Sequence, residues 1–374
     1  MKIPPFTLER YFAKHEFSAK YLLSSSDCES LTLPELLEMA SPEMRNTWNN
    51  LQLGYTESSG HPLLRAEAAT MHKGLNAENL LIAAPEEAIF LLMHALLQPG
   101  DHVISTFPGY QSLYEIAGAI GCQISKWEPD EDAGWHFDLA RLAELIRPET
   151  KLVVVNFPHN PTGFIPSQKE YLGIIELCRE KGIFLLSDEM YRYLEVEKGA
   201  TLPSACETYE KAFSLFGMSK TFGMPGVRIG WIATQHAPTL AKMLELKDYT
   251  TICSSAPSEI LSIIALQNKD AIIAMQNARL ARNMKLLEAF MEKYTHIFRW
   301  NKPRGGSICF PRILNVESTL DFADTLVAEA GIMIAPSHVF DYGHQHFRLG
   351  FGRENFGEAL ALFGKYMDVY DTNL

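Results

Sequence analysis

Positive charge is in short supply in this chain. Against 45 Asp and Glu there are 33 Lys and Arg, a formal net charge of −12, which argues against nucleic acid or an anionic membrane as a partner. It leaves a small substrate open, because local charge governs that. The six cysteines, at 28, 122, 178, 206, 253 and 309, make no C-x-x-C pair and no metal-ligand spacing. They read as reduced, mostly buried thiols of a cytoplasmic protein. No metal is expected: His338, His344 and His346 are near one another but have no carboxylate in pattern, and such groups are mostly structural or solvated. The opening MKIPPFTLER lacks the apolar stretch of a signal peptide. The longest apolar run, Ala88 to Leu97, is broken by His94 and too short to span a bilayer. There is no G-x-x-x-x-G-K-[ST] loop, and Gly223, Gly226 and Gly230 lack dinucleotide-loop spacing. Internal repeats and low-complexity segments are absent too.

What is present is an ordinary globular composition, 47% hydrophobic and 21% charged over 374 residues. That length allows two domains, or one large domain with a lobe. From Leu80 short apolar runs alternate with helical patterns. LLIAA, HVIST, CQISKW, KLVVVNF, IFLLSD and AFSLFG read as strands. PEEAIFLLMHALL reads as a helix with Pro85 at its first position and two acidic residues in its first turn. Asp138 is placed to cap a helix running to Ile146, and Ser167 to Lys181 is helical. RIGWIAT (228–234) follows AFSLFG closely enough to be its antiparallel neighbour. Strands separated by helices give a doubly wound α/β domain with a mainly parallel sheet. Outside it, LTLPELLEMA is helical behind a Thr32 cap, and His61 to Lys73 is helical up to Gly74. A long helical pattern from Asp270 to Tyr294 connects to a second lobe, where FRLGFG (347–352) is a strand.

The stretch FSLFGMSKTFGMPGVRIGWI, Phe213 to Ile232, places Lys220 where a buried strand stops and Arg228 eight residues on. Burial favours the neutral, nucleophilic amine, and a guanidinium can fork onto a phosphate. An amine able to form a Schiff base beside a phosphate clamp suits pyridoxal phosphate; a solvated loop lysine beside a structural arginine is the alternative on this stretch alone. Ligands in open α/β sheets bind at the carboxyl ends of the strands. The residues found there are Ala84-Pro85-Glu86, Phe107 to Tyr110, Asn156 through Asn160-Pro161-Thr162-Gly163, Asp188 with Tyr191, and Ser219-Lys220.

In combination these residues resemble the fold-type-I pyridoxal phosphate (PLP) enzymes, the class I and II aminotransferases. The resemblance runs from about Leu53 to Gly352. It rests on NPTG (160–163), SDEMY (187–191), SKTFGMPGVRIG (219–230), FRLGFG, and the pattern of Tyr55, Gly60, Leu64 and Arg65. It implies an aspartate aminotransferase-like α/β fold, with a mainly parallel seven-stranded sheet and a smaller C-terminal α+β lobe. The expected division is a large PLP-binding domain, 41–280, and a small domain made of 1–40 plus 281–374. The implied cofactor is pyridoxal 5′-phosphate, and the implied substrates are an amino acid and a 2-oxo acid. By the same resemblance Lys220 is the Schiff-base residue and proton shuttle, and Asp188 pairs with the pyridine nitrogen. Asn160 and Tyr191 bond the ring hydroxyl, Tyr110 stacks on the ring, and Arg228 with Ser219 binds the phosphate. Tyr55 reaches that phosphate from the other subunit of a homodimer with shared sites, and Arg348, which takes the substrate carboxylate, binds the substrate together with Asn160. Phe107-Pro108 and Asn160-Pro161 are candidate cis peptides.

The chain departs from the family pattern at the phosphate. Gly217 stands where a serine is common. Pro85, lacking an N–H, and Glu86, a carboxylate, stand at the helix N-terminus that the phosphate uses. A weakened phosphate site is therefore expected, one that Gly217→Ser would tighten if the position is vacant. Two other outcomes share these motifs: a lyase or cyclase working through the same carbanion, and a PLP-binding regulatory protein without turnover.

Overall fold

Seven apolar segments between Leu80 and Thr234 join into one sheet in the computed structural model, which describes residues 2–197 and 199–371. They are β1 (Leu80–Ala83), β2 (His102–Thr106), β3 (Gln123–Trp127), β4 (Thr150–Asn156), β5 (Phe184–Asp188), β6 (Ala212–Gly217) and β7 (Gly230–Thr234). Their order across the sheet is β1-β7-β6-β5-β4-β2-β3. Only β7 runs antiparallel to its neighbours, as its short connection to β6 predicts. Every residue of β1, β2, β6 and β7 is buried, because helices cover both faces; that is why these strands read as unbroken apolar runs rather than alternating ones.

The helix signals in the sequence resolve as local chemistry. Thr32 accepts the Glu35 N–H while the Glu35 carboxylate takes the Thr32 N–H, a reciprocal box that starts Leu33–Met39. Ser167 and Glu170 do the same for Gln168–Lys181, which Gly182 ends in the left-handed region at φ 67°. Asp138 accepts from Ala140 N at 2.9 Å and starts Leu139–Leu145. The helix expected over 61–73 is shorter, Pro62–Ala69, and turns fill the remainder. The long helix is Lys269–Lys293. None of the described helices is long and apolar enough to cross a membrane.

Beyond that helix, Phe347–Gly350 pairs antiparallel with Ile308–Cys309 on one side and Ala335–Pro336 on the other. The N-terminal Tyr21–Leu22 pairs in parallel with Ile332–Met333. Two glycines make the next contact possible. A β-carbon on Gly350 would overlap the Ser25 carbonyl, and one on Gly352 the Asp27 carbonyl. With glycine at both positions, the backbone of 23–29 lies directly on that of 350–352, through Gly350 N–H to Leu23 O (2.7 Å) and Glu29 N–H to Gly352 O (2.9 Å). The N-terminal segment thereby faces the carboxyl ends of the main sheet.

Candidate active site

The ends of β1, β2, β4, β5 and β6 open into one cavity of about 580 Å³, closed on its other side by the N-terminal helix Thr7–His15 and by residues 25–30. Ten of the eleven residues singled out from sequence line it; Tyr55 does not. Tyr55 is 89% exposed on a loop.

Asp188, the last residue of β5, is 6% exposed and accepts the Met190 N–H at 3.1 Å. Burial pushes its carboxyl up to about 7; the Met190 N–H and Lys220 pull it down, and Glu86 and Glu189 push it further up. No cation is paired with it among the described residues. Asn156 ties the neighbouring turn down: its Nδ2 donates to Asp188 O (3.1 Å) and its Oδ1 accepts Asn160 N–H (2.7 Å). Asn160 Oδ1 in turn accepts from Arg348 Nη1 at 3.2 Å. Phe107-Pro108 and Asn160-Pro161 are cis, and so is Phe157-Pro158.

Arg348 is 2% exposed. Besides Asn160 it donates to Ser24 O at 2.9 Å, and its Nε is buried with no partner. Its guanidinium lies over the rings of Phe340 and Phe12, 5.3 and 5.8 Å from their centroids. Burial lowers its pKa, with the neighbouring Tyr191, Tyr110, Glu9 and Asp27 opposing the shift. A buried cation with a spare donor and no carboxylate partner is a site for a carboxylate. Tyr191, following β5, likewise has a buried hydroxyl with no partner.

Lys220, half-buried just past the end of β6, donates from Nζ to Ser26 Oγ at 2.8 Å. Ser219 beside it is buried and lines the cavity. Arg228 sits in the left-handed region at φ 55° and donates to Pro225 O (3.1 Å) and to Glu86 Oε2 (2.9 Å). Glu86 Oε1 also accepts from Tyr110 Oη at 3.0 Å, and Glu9 Oε1 lies 3.2 Å from the same hydroxyl. Burial, then the two carboxylates, hold the Tyr110 phenol well above its ordinary pKa.

These partners correct the reading of the phosphate site. Gly217 is not a vacancy: a β-carbon there would sit 2.9 Å from Gly230 Cα and 3.0 Å from Ile229 O, so the close approach of β6 and β7 requires glycine. Pro85 starts the helix Pro85–Leu96 and packs where a β-carbon on Gly230 would fall, 3.0 Å from its Cγ. Glu86 engages the very arginine assigned to the phosphate.

Sequence reasoning missed the N-terminal wall: Phe6, Glu9, Phe12, Glu16, Ser26 and Asp27. Residues 1–30 carry no motif that announces them. Arg353, also in the cavity wall, had a signal in its place directly after FRLGFG; it holds both oxygens of Asp27 from Nη2, each at 3.0 Å.

An orphaned phenol, an uncompensated buried carboxyl and a half-buried lysine amine, with an arginine at a helix N-terminus, suit a cofactor with a ring hydroxyl, a basic ring nitrogen, a carbonyl and a phosphate. A family model described as aminotransferase class I and II matches residues 19–360. Capreomycidine synthase of Streptomyces vinaceus is 28% identical over 93% of this chain and 90% of its own length. Aspartate aminotransferase of Sulfolobus acidocaldarius is 31% identical over 79% and 78%. Among solved structures, a PLP-dependent aminotransferase from Streptococcus suis 89-1591 superposes with a TM-score of 0.92, at 31% identity and 98% coverage of both chains.

Proposed function

The chain belongs to the class I and II aminotransferase family, and on that premise we propose that it moves an amino group from an amino acid to a 2-oxo acid. Bound pyridoxal phosphate supplies the electron sink and the carbonyl that the amino group exchanges onto. The observation that carries the reading is Arg348: a buried guanidinium with an unused Nε, in the same cavity as Lys220 and Asp188.

Each side chain then has one task. Arg348 holds the substrate α-carboxylate through a two-pronged contact. Lys220 Nζ would hold the cofactor and, when free, would carry a proton to and from the substrate α-carbon. Asp188 keeps the ring nitrogen protonated, and the Tyr191 hydroxyl with Asn160 bonds the ring oxygen. The Tyr110 ring would offer the cofactor ring a stacking face. Arg228, Ser219 and the N–H groups after Pro85 would hold the phosphate, for which Arg228 would leave Glu86. The same reading assigns cofactor binding to 41–280 and the smaller lobe to 1–40 with 281–374.

The working unit in this reading is a homodimer, with Tyr55 serving the partner's phosphate. Exposed apolar side chains support it: Leu53 and Tyr55 are 83% and 89% exposed, and Tyr249 91%. Thr56 donates to Ser254 O at 3.4 Å, which brings these two loops together; apolar surface of this kind marks a contact face.

A single-turnover assay tests the reaction. Transamination releases a 2-oxo acid and leaves the amino group on the cofactor, and Lys220→Ala abolishes it. Release of ammonia with the cofactor unchanged would indicate a lyase, and a ring-closed product a cyclase. Binding without either product would indicate a regulator.

A further inference from the structure

We propose that the substrate side chain ends in a cation, an amino or guanidino group on an aliphatic stem. This rests on the transaminase reading and identifies the donor class for the same cavity. Five carboxylates and four cations line the cavity. Two of the cations are already neutralised. Arg353 is held by both oxygens of Asp27 at 3.0 Å and has Glu29 at 3.8 Å. Arg228 pairs with Glu86 at 2.9 Å and would serve the phosphate of a bound cofactor. Lys220, Asp188 and Arg348 are committed to the cofactor and the α-carboxylate. Glu9 and Glu16 remain, and among the described residues no cation pairs with either. Glu9 has only the Tyr110 hydroxyl at 3.2 Å, and the Glu16 carboxylate has no hydrogen bond in the structure. Its pKa is raised by burial first, then by Asp27 and Glu9, with Arg353 and Lys220 opposing the shift without pairing with it, so the net effect of its surroundings still disfavours the carboxylate.

The placement fits an extended donor. Glu9, Phe12 and Glu16 lie at i, i+3 and i+7 along Thr7–His15 and its cap, on one helical face. Phe12 is also the ring 5.8 Å from the Arg348 guanidinium. A carboxylate at the unpartnered Arg348 Nε therefore places the side chain of the same molecule beside this face. Phe12 and Leu8 offer apolar contact to methylenes, and the two glutamates offer the counter-charge. A dicarboxylic donor would bring its second carboxylate to Glu9 and Glu16 with no free cation to meet it, a like-charge contact that opposes binding.

The experiment uses the PLP-loaded enzyme and follows cofactor absorbance in single turnovers with lysine, ornithine and arginine, against norleucine and glutamate. At least one cationic donor is expected to exceed norleucine in kcat/KM by about tenfold or more, the effect of one charge-assisted contact. In the double variant Glu9→Gln, Glu16→Gln that ratio should fall by roughly ten- to a hundredfold, mainly through KM. Preference for norleucine or glutamate, or a ratio unmoved in the double variant, overturns the inference and leaves the transaminase reading intact. No turnover with any donor overturns both.

Discussion

The carboxyl of Asp188 should make the cofactor-free protein lose stability as pH rises, and Asp188→Asn should remove that loss. Folded, the group holds its proton up to about pH 7, against an ordinary aspartate value of 3.8. Below pH 4 it is protonated in both folded and unfolded chains and costs nothing. Between pH 4 and pH 7 the unfolded chain releases its proton first, so stability falls through that window and levels off above it. At about 1.36 kcal/mol per pH unit the full loss is about 4 kcal/mol, of which roughly two-thirds falls between pH 5 and pH 8. With an unfolding entropy near 2.1 cal/mol/K per residue, roughly 3 °C is at stake for 374 residues. Asparagine keeps the shape and can still accept the Met190 N–H. The melting point of the cofactor-free variant, relative to the parent, should therefore rise by about 3 °C from pH 5 to pH 8. Adding the cofactor reverses the order, because a pyridinium rewards the carboxylate: the parent should gain more than the variant at pH 8. An unchanged difference between the two proteins from pH 5 to pH 8 would refute the argument, since it would mean that Asp188 is already compensated without the cofactor.

Three further outcomes follow from the phosphate end and the exposed loop. Gly217→Ser should lower stability by about 1–3 kcal/mol, the usual cost of overpacking, and leave cofactor retention on dialysis no better; a more tightly held cofactor would show room where the backbone leaves none. Glu86→Gln frees Arg228 from a pair in which both side chains are about half exposed, 55% and 44%. Such pairs contribute about 0.2–1 kcal/mol, so cofactor affinity by titration should rise by up to about fivefold; weaker binding would mean that Glu86 supports the site. A mixed dimer of Lys220→Ala and Tyr55→Phe subunits has one site with both groups intact if Tyr55 acts across the interface, and its turnover should exceed that of the Tyr55→Phe homodimer; equal or lower turnover would place Tyr55 outside the site.

The parts of the site that lie at strand ends were legible because both faces of the sheet are covered. Strands such as β4 and β6 then read as apolar runs, and the polar residues that follow them, Asn160 and Lys220 among them, stand out. Arg348 was legible through the motif around it. Tyr55 was placed in a loop outside the strand ends, and the structure leaves it outside the cavity. Glu9 and Glu16 were illegible for a different reason: a short amphipathic helix looks the same whether its polar face meets solvent or a cavity, and only the docking of 21–29 onto distant strands decides which. Gly217 misled because a glycine in place of serine reads as a missing hydroxyl, while the constraint is the nearness of Gly230 on the neighbouring strand. The Glu86–Arg228 pair spans 142 positions, beyond any local pattern.

The seam between residues 23–29 and 350–352 also sets a schedule for synthesis. Ser24 and Arg348 are 324 positions apart, so the segment 23–29 lacks its seam until almost the whole chain has left the ribosome, although Thr7 and Phe6 already find Gln111 and Tyr110. At about 5–20 residues per second, that is an interval of roughly 16 to 65 s. During it the helices and strands of the main sheet can assemble from nearer contacts, while residues 21–29 wait with Tyr21 and Leu23, both buried in the finished protein, still uncovered. The wall that faces the substrate is the last to be completed, and a chain that stops short of Arg348 presents its earliest-made apolar side chains to whatever else is in solution.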